Sequence, residues 1–154
     1  MWTISKPLAK AAHLAGSGTA AINLATTQPN ANLVVDVYDL DRNGTGPLIT
    51  RQGFLARQAG ARTLKLWSAD WKLAKGHRIG VRVTDANGDW WIHQPSFQDV
   101  KVARGTITLP FLTNARTSQI AGGPGTQLAG YLGETITVPP ETLAGAESAM
   151  NVPG

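Results

Sequence analysis

The chain has 154 residues, of which 42% are apolar and 16% are charged. This composition can supply one packed core and excludes disorder along the whole chain, and two full domains are not expected at this length. The 17 glycines and 9 prolines indicate many turns between short elements, which favours an all-β domain over a helical bundle.

Charge pattern and cysteine count exclude further classes. The formal net charge is +4, but the basic residues stand singly among acidic ones, so no nucleic-acid partner is expected. Without cysteine there is no disulfide framework, no Cys-ligated zinc and no cysteine nucleophile, and the compartment stays open. The sequence has no apolar run of membrane length and no visible export signal, so we expect a soluble chain without a membrane partner.

The first elements show two different periodicities. Local propensity predicts a helix over residues 7–16, which begin with a proline, are rich in alanine and end with a glycine. Residues 19–26 alternate in the manner of a strand. Residues 32–40 are the clearest predicted strand, because β-branched residues are frequent and successive side chains divide into two faces.

Five more strands are predicted, at 47–56, 62–67, 78–85, 99–102 and 106–109. The last two are separated by a predicted turn at 103–105. Seven or eight strands with regularly spaced turns are typical of a sandwich or a jelly roll. Residues 113–154 are predicted to form an irregular Gly/Pro-rich extension, with one added strand at 135–138 and a short helix at 141–149.

Residues 39–44 read DLDRNG and match the opening of a calcium-binding loop, in which Asp39, Asp41 and Asn43 would supply oxygen ligands. The match stops there, because Thr50 occupies the position that needs a bidentate glutamate. Both flanks are also predicted strands, whereas the calcium loop needs helices. A hairpin turn is therefore favoured over a metal site.

The sequence contains no recognisable catalytic constellation. None of its serines stands in a G-x-S-x-G elbow, and His13, His77 and His93 lack the spacing of a zinc site. We therefore predict no catalytic residue, no metal ligand and no cofactor in this chain. The enzyme alternative would need His77 or His93 paired with Asp85 or Asp89.

Four of the five tryptophans lie between residues 67 and 91. They favour either an aromatic platform on which a sugar ring stacks or an interface with another domain, because large aromatic side chains dominate such contacts. Trp90 and Trp91 are adjacent, so on a strand they would face opposite sides. The candidate ligand or interface residues are Trp67, Trp71, Trp90, Trp91, Asp89 and Arg82.

Several short motifs follow one another along the first 112 residues. They are KPL at 6–8 with Gly16, ANLVVDVYD at 31–39 with NG at 43–44, IT at 49–50 with Gly53, AKGHRI at 74–79, DWW at 89–91 and LPFL at 109–112. In combination they resemble the C-terminal domain of the X-Pro dipeptidyl-peptidase and cocaine-esterase family of serine hydrolases. The resemblance implies a galactose-binding-like jelly-roll β-sandwich over residues 1–112 and replaces the helix at 7–16 by a strand.

The same resemblance implies a function. In that family the catalytic triad lies in a preceding α/β-hydrolase domain, which this sequence does not include. The chain is therefore expected to be a non-catalytic accessory module, excised or free-standing, that packs on such a domain in cis or in trans. The alternative is a carbohydrate-binding module with a polysaccharide partner, and a homodimer is a further partner expectation.

Overall fold

Strands account for most of the chain that the structure describes. This computed structural model describes residues 1–26, 31–87, 99–114, 116, 130, 133–145 and 150. The elements are β1 (Trp2–Ile4), β2 (Ala12–Thr26), β3 (Ala31–Leu40), β4 (Thr45–Ala56), β5 (Gly60–Leu73), β6 (Arg78–Thr84), β7 (Lys101–Thr108), β8 (Thr135–Thr137) and the short helix α1 (Pro140–Gly145). No helix within these ranges has the length and hydropathy of a membrane span.

The strands form two antiparallel sheets. The larger sheet has the order β1-β6-β3-β4-β8 and the smaller sheet has the order β5-β2-β7. A main core lies between them, where Leu14 and Leu66 of the smaller sheet share one buried cluster with Val35 and Val37 of the larger sheet. The all-β sandwich predicted from the sequence is confirmed, whereas its jelly-roll connectivity stays an expectation.

The central strand β3 is buried on both faces, which is unusual for a sandwich strand. Val35 and Val37 point into the main core, whereas Asp36 and Tyr38 on the opposite face are also buried. The cover over that outer face is a second apolar cluster, which comprises Ile4, Tyr38, Leu40, Leu48 and Val138 with Trp2, Ile136 and Leu143 packed against them. Residues from both ends of the described chain therefore shield the larger sheet from solvent.

The helix that local propensity predicts at residues 7–16 is wrong. The structure has no helix there, and β2 begins at Ala12 in the middle of that segment. The β2 strand is the centre of the smaller sheet, paired with β5 on one side and with β7 on the other. The pairing of residues 12–16 with β5 and the burial of Leu14 outweigh the small helix preference of an alanine-rich segment.

The turn predicted at residues 103–105 is also wrong, because one continuous strand, β7, runs from Lys101 to Thr108. Its pairing with β2 shifts register where Asn23 opposes Arg104 and Leu24 opposes Val102. Ala103 is thus an extra residue in the β7 strand, as in a β-bulge. A bulge and a turn draw on similar small and flexible residues, and here both flanking pieces pair with the same partner strand.

The C-terminal extension adds to the larger sheet. Residues of β8 pair with the first residues of β4, in the register Thr45↔Thr137, Gly46↔Ile136 and Pro47↔Thr135. The next residue, Val138, is 1% exposed. This strand falls within the predicted 135–138 segment, and α1 begins one residue before the predicted helix. The division of the chain after residue 112 stays a prediction.

Candidate functional site

An open pocket lies between β4 and β5. Two hydrogen bonds close the seam beside it: Thr50 Oγ1 donates to the Trp67 carbonyl over 2.8 Å, and Gln52 Nε2 donates to the Lys65 carbonyl over 3.0 Å. Next to this seam the two strands line a cavity of about 180 Å³. Its lining residues are Leu48, Ile49, Thr50, Trp67, Ser68, Ala69, Asp70 and Trp71.

The structure thus brings together two of the candidate residues, Trp67 and Trp71, at the wall of one pocket. The Trp71 ring also packs against the main core, and its Nε1 donates a 2.9 Å hydrogen bond to Asp39 Oδ2. This bond connects β5 of the smaller sheet to β3 of the larger sheet. The orientation of the Trp71 indole is therefore fixed by a buried carboxylate.

The second oxygen of the same carboxylate holds a histidine. His77 Nδ1 lies 2.8 Å from Asp39 Oδ1, and the His77 side chain is 33% exposed. Among the described residues the partner of His77 is therefore Asp39, rather than the Asp85 of the enzyme alternative, whose Asp89 and His93 lie outside those residues. A carboxylate that fixes one imidazole nitrogen leaves the other available to a ligand or a neighbouring domain.

A second histidine and carboxylate pair borders the pocket. Buried His13 contacts Asp70 through Nε2, and His13 Nδ1 accepts the backbone N–H of Arg116 over 3.2 Å. Asp70 is 64% exposed, and its hydrogen bond with His13 lowers the pKa of the Asp70 carboxyl. Asp70 therefore carries a negative charge at the rim of the pocket at neutral pH, with Arg116 Nη1 3.8 Å from its other oxygen.

These pairs do not make a hydrolytic site within the described chain. Both nitrogens of His13 are engaged, and His77 is bound to Asp39 alone among the described side chains. No serine or threonine hydroxyl in these ranges contacts either imidazole. The activated nucleophile that acyl transfer needs is therefore not assembled by the described residues.

Arg82, another candidate residue, lies on the opposite side of the larger sheet from the pocket. Its Nη2 is 2.8 Å from Asp36 Oδ2, and its guanidinium lies over the rings of Trp2 and Tyr38 at 5.9 and 5.7 Å. Arg82 therefore cannot orient a ligand held by Trp67 and Trp71. The remaining candidates, Asp89, Trp90 and Trp91, lie outside the described residues.

The candidate calcium ligands Asp39 and Asp41 have other partners in the structure. Asp39 is bound to Trp71 and His77, and Asp41 Oδ1 accepts the backbone N–H groups of Asn43 and Thr45 over 2.8 and 2.9 Å. The turn is completed by Gly44, whose φ is +79°. The described ranges hold no group of three or more His, Cys, Asp or Glu side chains suited to a metal ion.

Sequence reasoning missed a buried ionic cluster on the outer face of the larger sheet. Asp36, which is fully buried, lies 3.2 Å from Arg51 Nε and is also paired with Arg82. Arg51 Nη2 reaches Glu134 of the extension at 2.9 Å. The sequence did carry a signal for this cluster. Each of two apolar strand segments, 31–40 and 48–56, contains a charged residue, and buried charges need partners.

The described chain is therefore a β-sandwich module with a pocket of about 180 Å³ between β4 and β5, and its described residues assemble no catalytic site. Its sequence matches, over residues 1–120, the X-Pro dipeptidyl-peptidase C-terminal non-catalytic domain. The chain belongs to this family. None of the curated proteins matches the sequence.

Solved structures share the fold. One is an aminopeptidase from the marine sediment archaeon Thaumarchaeota archaeon, and another is an α-amino acid ester hydrolase labelled with selenomethionine. Each has a TM-score of 0.57 and 16% sequence identity, over 73% of this chain and 25% of the other. The chain therefore spans about a quarter of the length of these two proteins.

Proposed function

We propose that this chain is an accessory β-sandwich that packs on the α/β-hydrolase catalytic domain of a serine peptidase or esterase, in cis or in trans. The observation that carries the proposal is the match of residues 1–120 to a non-catalytic C-terminal domain. The two structural neighbours are hydrolases about four times as long as their matched part. A catalytic domain can therefore lie in the rest of such a protein. The acyl-enzyme route would be carried by a triad outside this chain.

The outer face of the smaller sheet is the surface we assign to this contact. The larger sheet already has its outer face covered by the second apolar cluster. On the smaller sheet, Thr19 and Ala21 of the central strand are exposed, with only Asn23 partly covered. Their cross-strand neighbours complete a flat small-sheet face, which consists of Thr19, Ala21, Asn23, Ala61, Thr63, Lys65, Arg104, Thr106 and Thr108.

The small-sheet face suits a flat partner with acidic groups. Its centre holds side chains no longer than threonine, so another surface can approach the backbone closely. Lys65 and Arg104 stand at diagonally opposite corners of the three cross-strand rows. Basic corners around a flat centre favour a complementary face with carboxylates at matching positions, which would set the orientation of the two domains.

The test combines the purified chain with the catalytic domain of its hydrolase in analytical ultracentrifugation. We expect a one-to-one complex, weakened at least tenfold by Ala21→Arg at the centre of the small-sheet face. Ala86→Arg, the same change at an exposed turn after β6, should leave the affinity unchanged. Equal affinities of both variants would show that the small-sheet face does not bind the catalytic domain. Hydrolysis of p-nitrophenyl acetate by the chain alone would contradict the accessory role. A doubled mass of the chain alone would instead support a homodimer.

A second candidate function is carbohydrate binding, favoured by the two indoles at the pocket between β4 and β5. Indole faces stack on sugar rings, and the ionised Asp70 at the rim can accept sugar hydroxyl groups. Titration with soluble polysaccharides should then shift tryptophan emission in a saturable way. Trp67→Ala should abolish the shift, whereas Trp2→Phe, on the other side of the larger sheet, should preserve it. A shift that survives Trp67→Ala would exclude this pocket.

A further inference from the structure

The C-terminal extension occupies a surface that has the features of a peptide-binding site. In β4, residues Thr45, Gly46 and Pro47 pair with β8, and the N–H of Leu48 donates to the carbonyl of Glu134 over 3.1 Å. At the other end of the segment, the N–H of Val138 donates to the carbonyl of Gly44 over 2.9 Å. Five consecutive residues, 134–138, therefore lie along one strand edge in the manner of an added strand.

Side chains of this segment alternate in the way that a bound extended peptide would. The side chains of Ile136 and Val138 lie on the outer face of the larger sheet and join the second apolar cluster, with Val138 only 1% exposed. Thr135 and Thr137 are exposed on the other side. Read from Glu134 to Val138, the residues that contact this surface follow the pattern acid-x-apolar-x-apolar.

The acidic position has a specific partner. Arg51 Nη2 contacts Glu134 Oε2 at 2.9 Å, while the Arg51 side chain is 4% exposed. Without Glu134, the buried cluster would hold two cations, Arg51 and Arg82, against the single carboxylate of Asp36. A carboxylate from the bound segment balances the charge of this cluster, so the surface favours an acidic segment over a basic one.

We propose that the edge of β4, with Arg51 and the second apolar cluster, is a binding site for an extended acidic peptide of the pattern acid-x-apolar-x-apolar. The chain's own residues 134–143 fill the site as a removable strap. The strap lies beyond the 1–120 family match, and the proposal does not depend on the function proposed above. Because the strap is tethered, it competes with free peptide at an effective concentration on the order of millimolar.

The experiment measures binding of a fluorescein-labelled peptide with the sequence of residues 133–143 to the full chain by fluorescence anisotropy. Val138→Asp puts a charge into the buried apolar cluster and should release the strap, so this variant should bind the peptide at least tenfold more tightly than the unmodified chain. Thr135→Asp, the same charge on the exposed side of the strap, should leave the affinity at the unmodified level. A peptide with Glu134→Lys should bind at least tenfold more weakly to Val138→Asp than the native peptide does.

The proposal is overturned if a folded Val138→Asp chain, with native far-ultraviolet circular dichroism, binds the peptide no better than the unmodified chain. It is equally overturned if the Glu134→Lys peptide binds as well as the native one. If Val138→Asp fails to fold, the chain with Glu134→Lys is used to test the proposal instead. The Glu134 side chain is 42% exposed, so this change leaves the apolar cluster intact. That chain should then bind the native peptide more tightly than the unmodified chain does, and equal affinities would exclude a removable strap.

Discussion

Asp39 on the larger sheet accepts a hydrogen bond from the indole N–H of Trp71 on the smaller sheet, over 2.9 Å. The same carboxylate binds His77 from the β5–β6 connection at 2.8 Å. One nearly buried acid therefore joins both sheets and a loop at the end of the sandwich where the pocket opens. The geometry of the pocket wall depends on Asp39, although Asp39 does not line the pocket.

Removing this acid should destabilise the fold and alter the pocket. Asp39→Ala leaves two polar N–H groups without their acceptor, which should lower the free energy of unfolding by about 2 to 3 kcal/mol. Trp71→Phe keeps an aromatic ring but loses the N–H donor and part of the packed indole, and should cost about 2 kcal/mol. Urea denaturation followed by circular dichroism measures both, with exposed Asp99→Ala as the control. Equal stability of Asp39→Ala and Asp99→Ala would show that the connection contributes nothing.

Gly46 is a position at which the structure leaves no space for a side chain. A Cβ at this residue would overlap the carbonyl group of Asp39 on the neighbouring strand β3. Gly46→Ala should therefore force the strands apart and cost about 3 kcal/mol, or roughly 6 to 12 °C in Tm. Gly105→Ala on β7 is the matched control, because the nearest atom to its new Cβ lies 3.8 Å away. Calorimetry that found the same Tm for both variants would contradict this strand contact.

The alternating strands were predictable because their patterns are local. Residues 32–40 and 78–85 carry their two faces in the sequence itself, and both became strands of the larger sheet. The helix predicted at 7–16 is wrong because helix preference is a local property, whereas the strand pairing of residues 12–16 comes from β5, which is distant in sequence. The bulge at Ala103 was read as a turn for the same reason.

The site was predictable only in part. A tryptophan-rich stretch pointed to Trp67 and Trp71, and these two do share a pocket. The polar neighbours of these tryptophans depend on the third dimension: Arg82 faces the other side of its sheet, and Asp39, a calcium-ligand candidate in the sequence, accepts the hydrogen bond of Trp71. Which charged groups meet across strands depends on register, and no sequence pattern in a single strand specifies that.

Tyr38 offers a spectroscopic test of the covered outer face. Burial, followed by the nearby Asp36 charge, raises the pKa of the Tyr38 phenol from its ordinary value of 10.0 to about 12. Because the pKa in the folded state lies above that in the unfolded state, the neutral phenol stabilises the fold fully below pH 10. That contribution is lost as the pH rises through 12. We therefore expect stability to fall across this window.

The titration can be observed directly. The chain has two tyrosines, so Tyr131→Phe leaves Tyr38 as the only one. Absorbance at phenolate wavelengths should then show only about a tenth of the phenol ionised at pH 11 in the folded protein, and an ordinary transition near pH 10 in urea. A folded-state midpoint near 10 would mean that the second apolar cluster does not cover Tyr38 as described.

The buried ionic cluster should be far more costly to break from its centre than from its rim. Asp36→Ala leaves Arg51 and Arg82 without their shared carboxylate in a buried setting, so the free energy of unfolding should fall by about 3 to 5 kcal/mol. Glu134→Gln removes a partly exposed partner and should cost less than about 1 kcal/mol. Urea denaturation at low and at 1 M salt separates the two, because salt screens the exposed pair and barely affects the buried one. Similar losses for both variants would show that Asp36 is not the organising charge of this face.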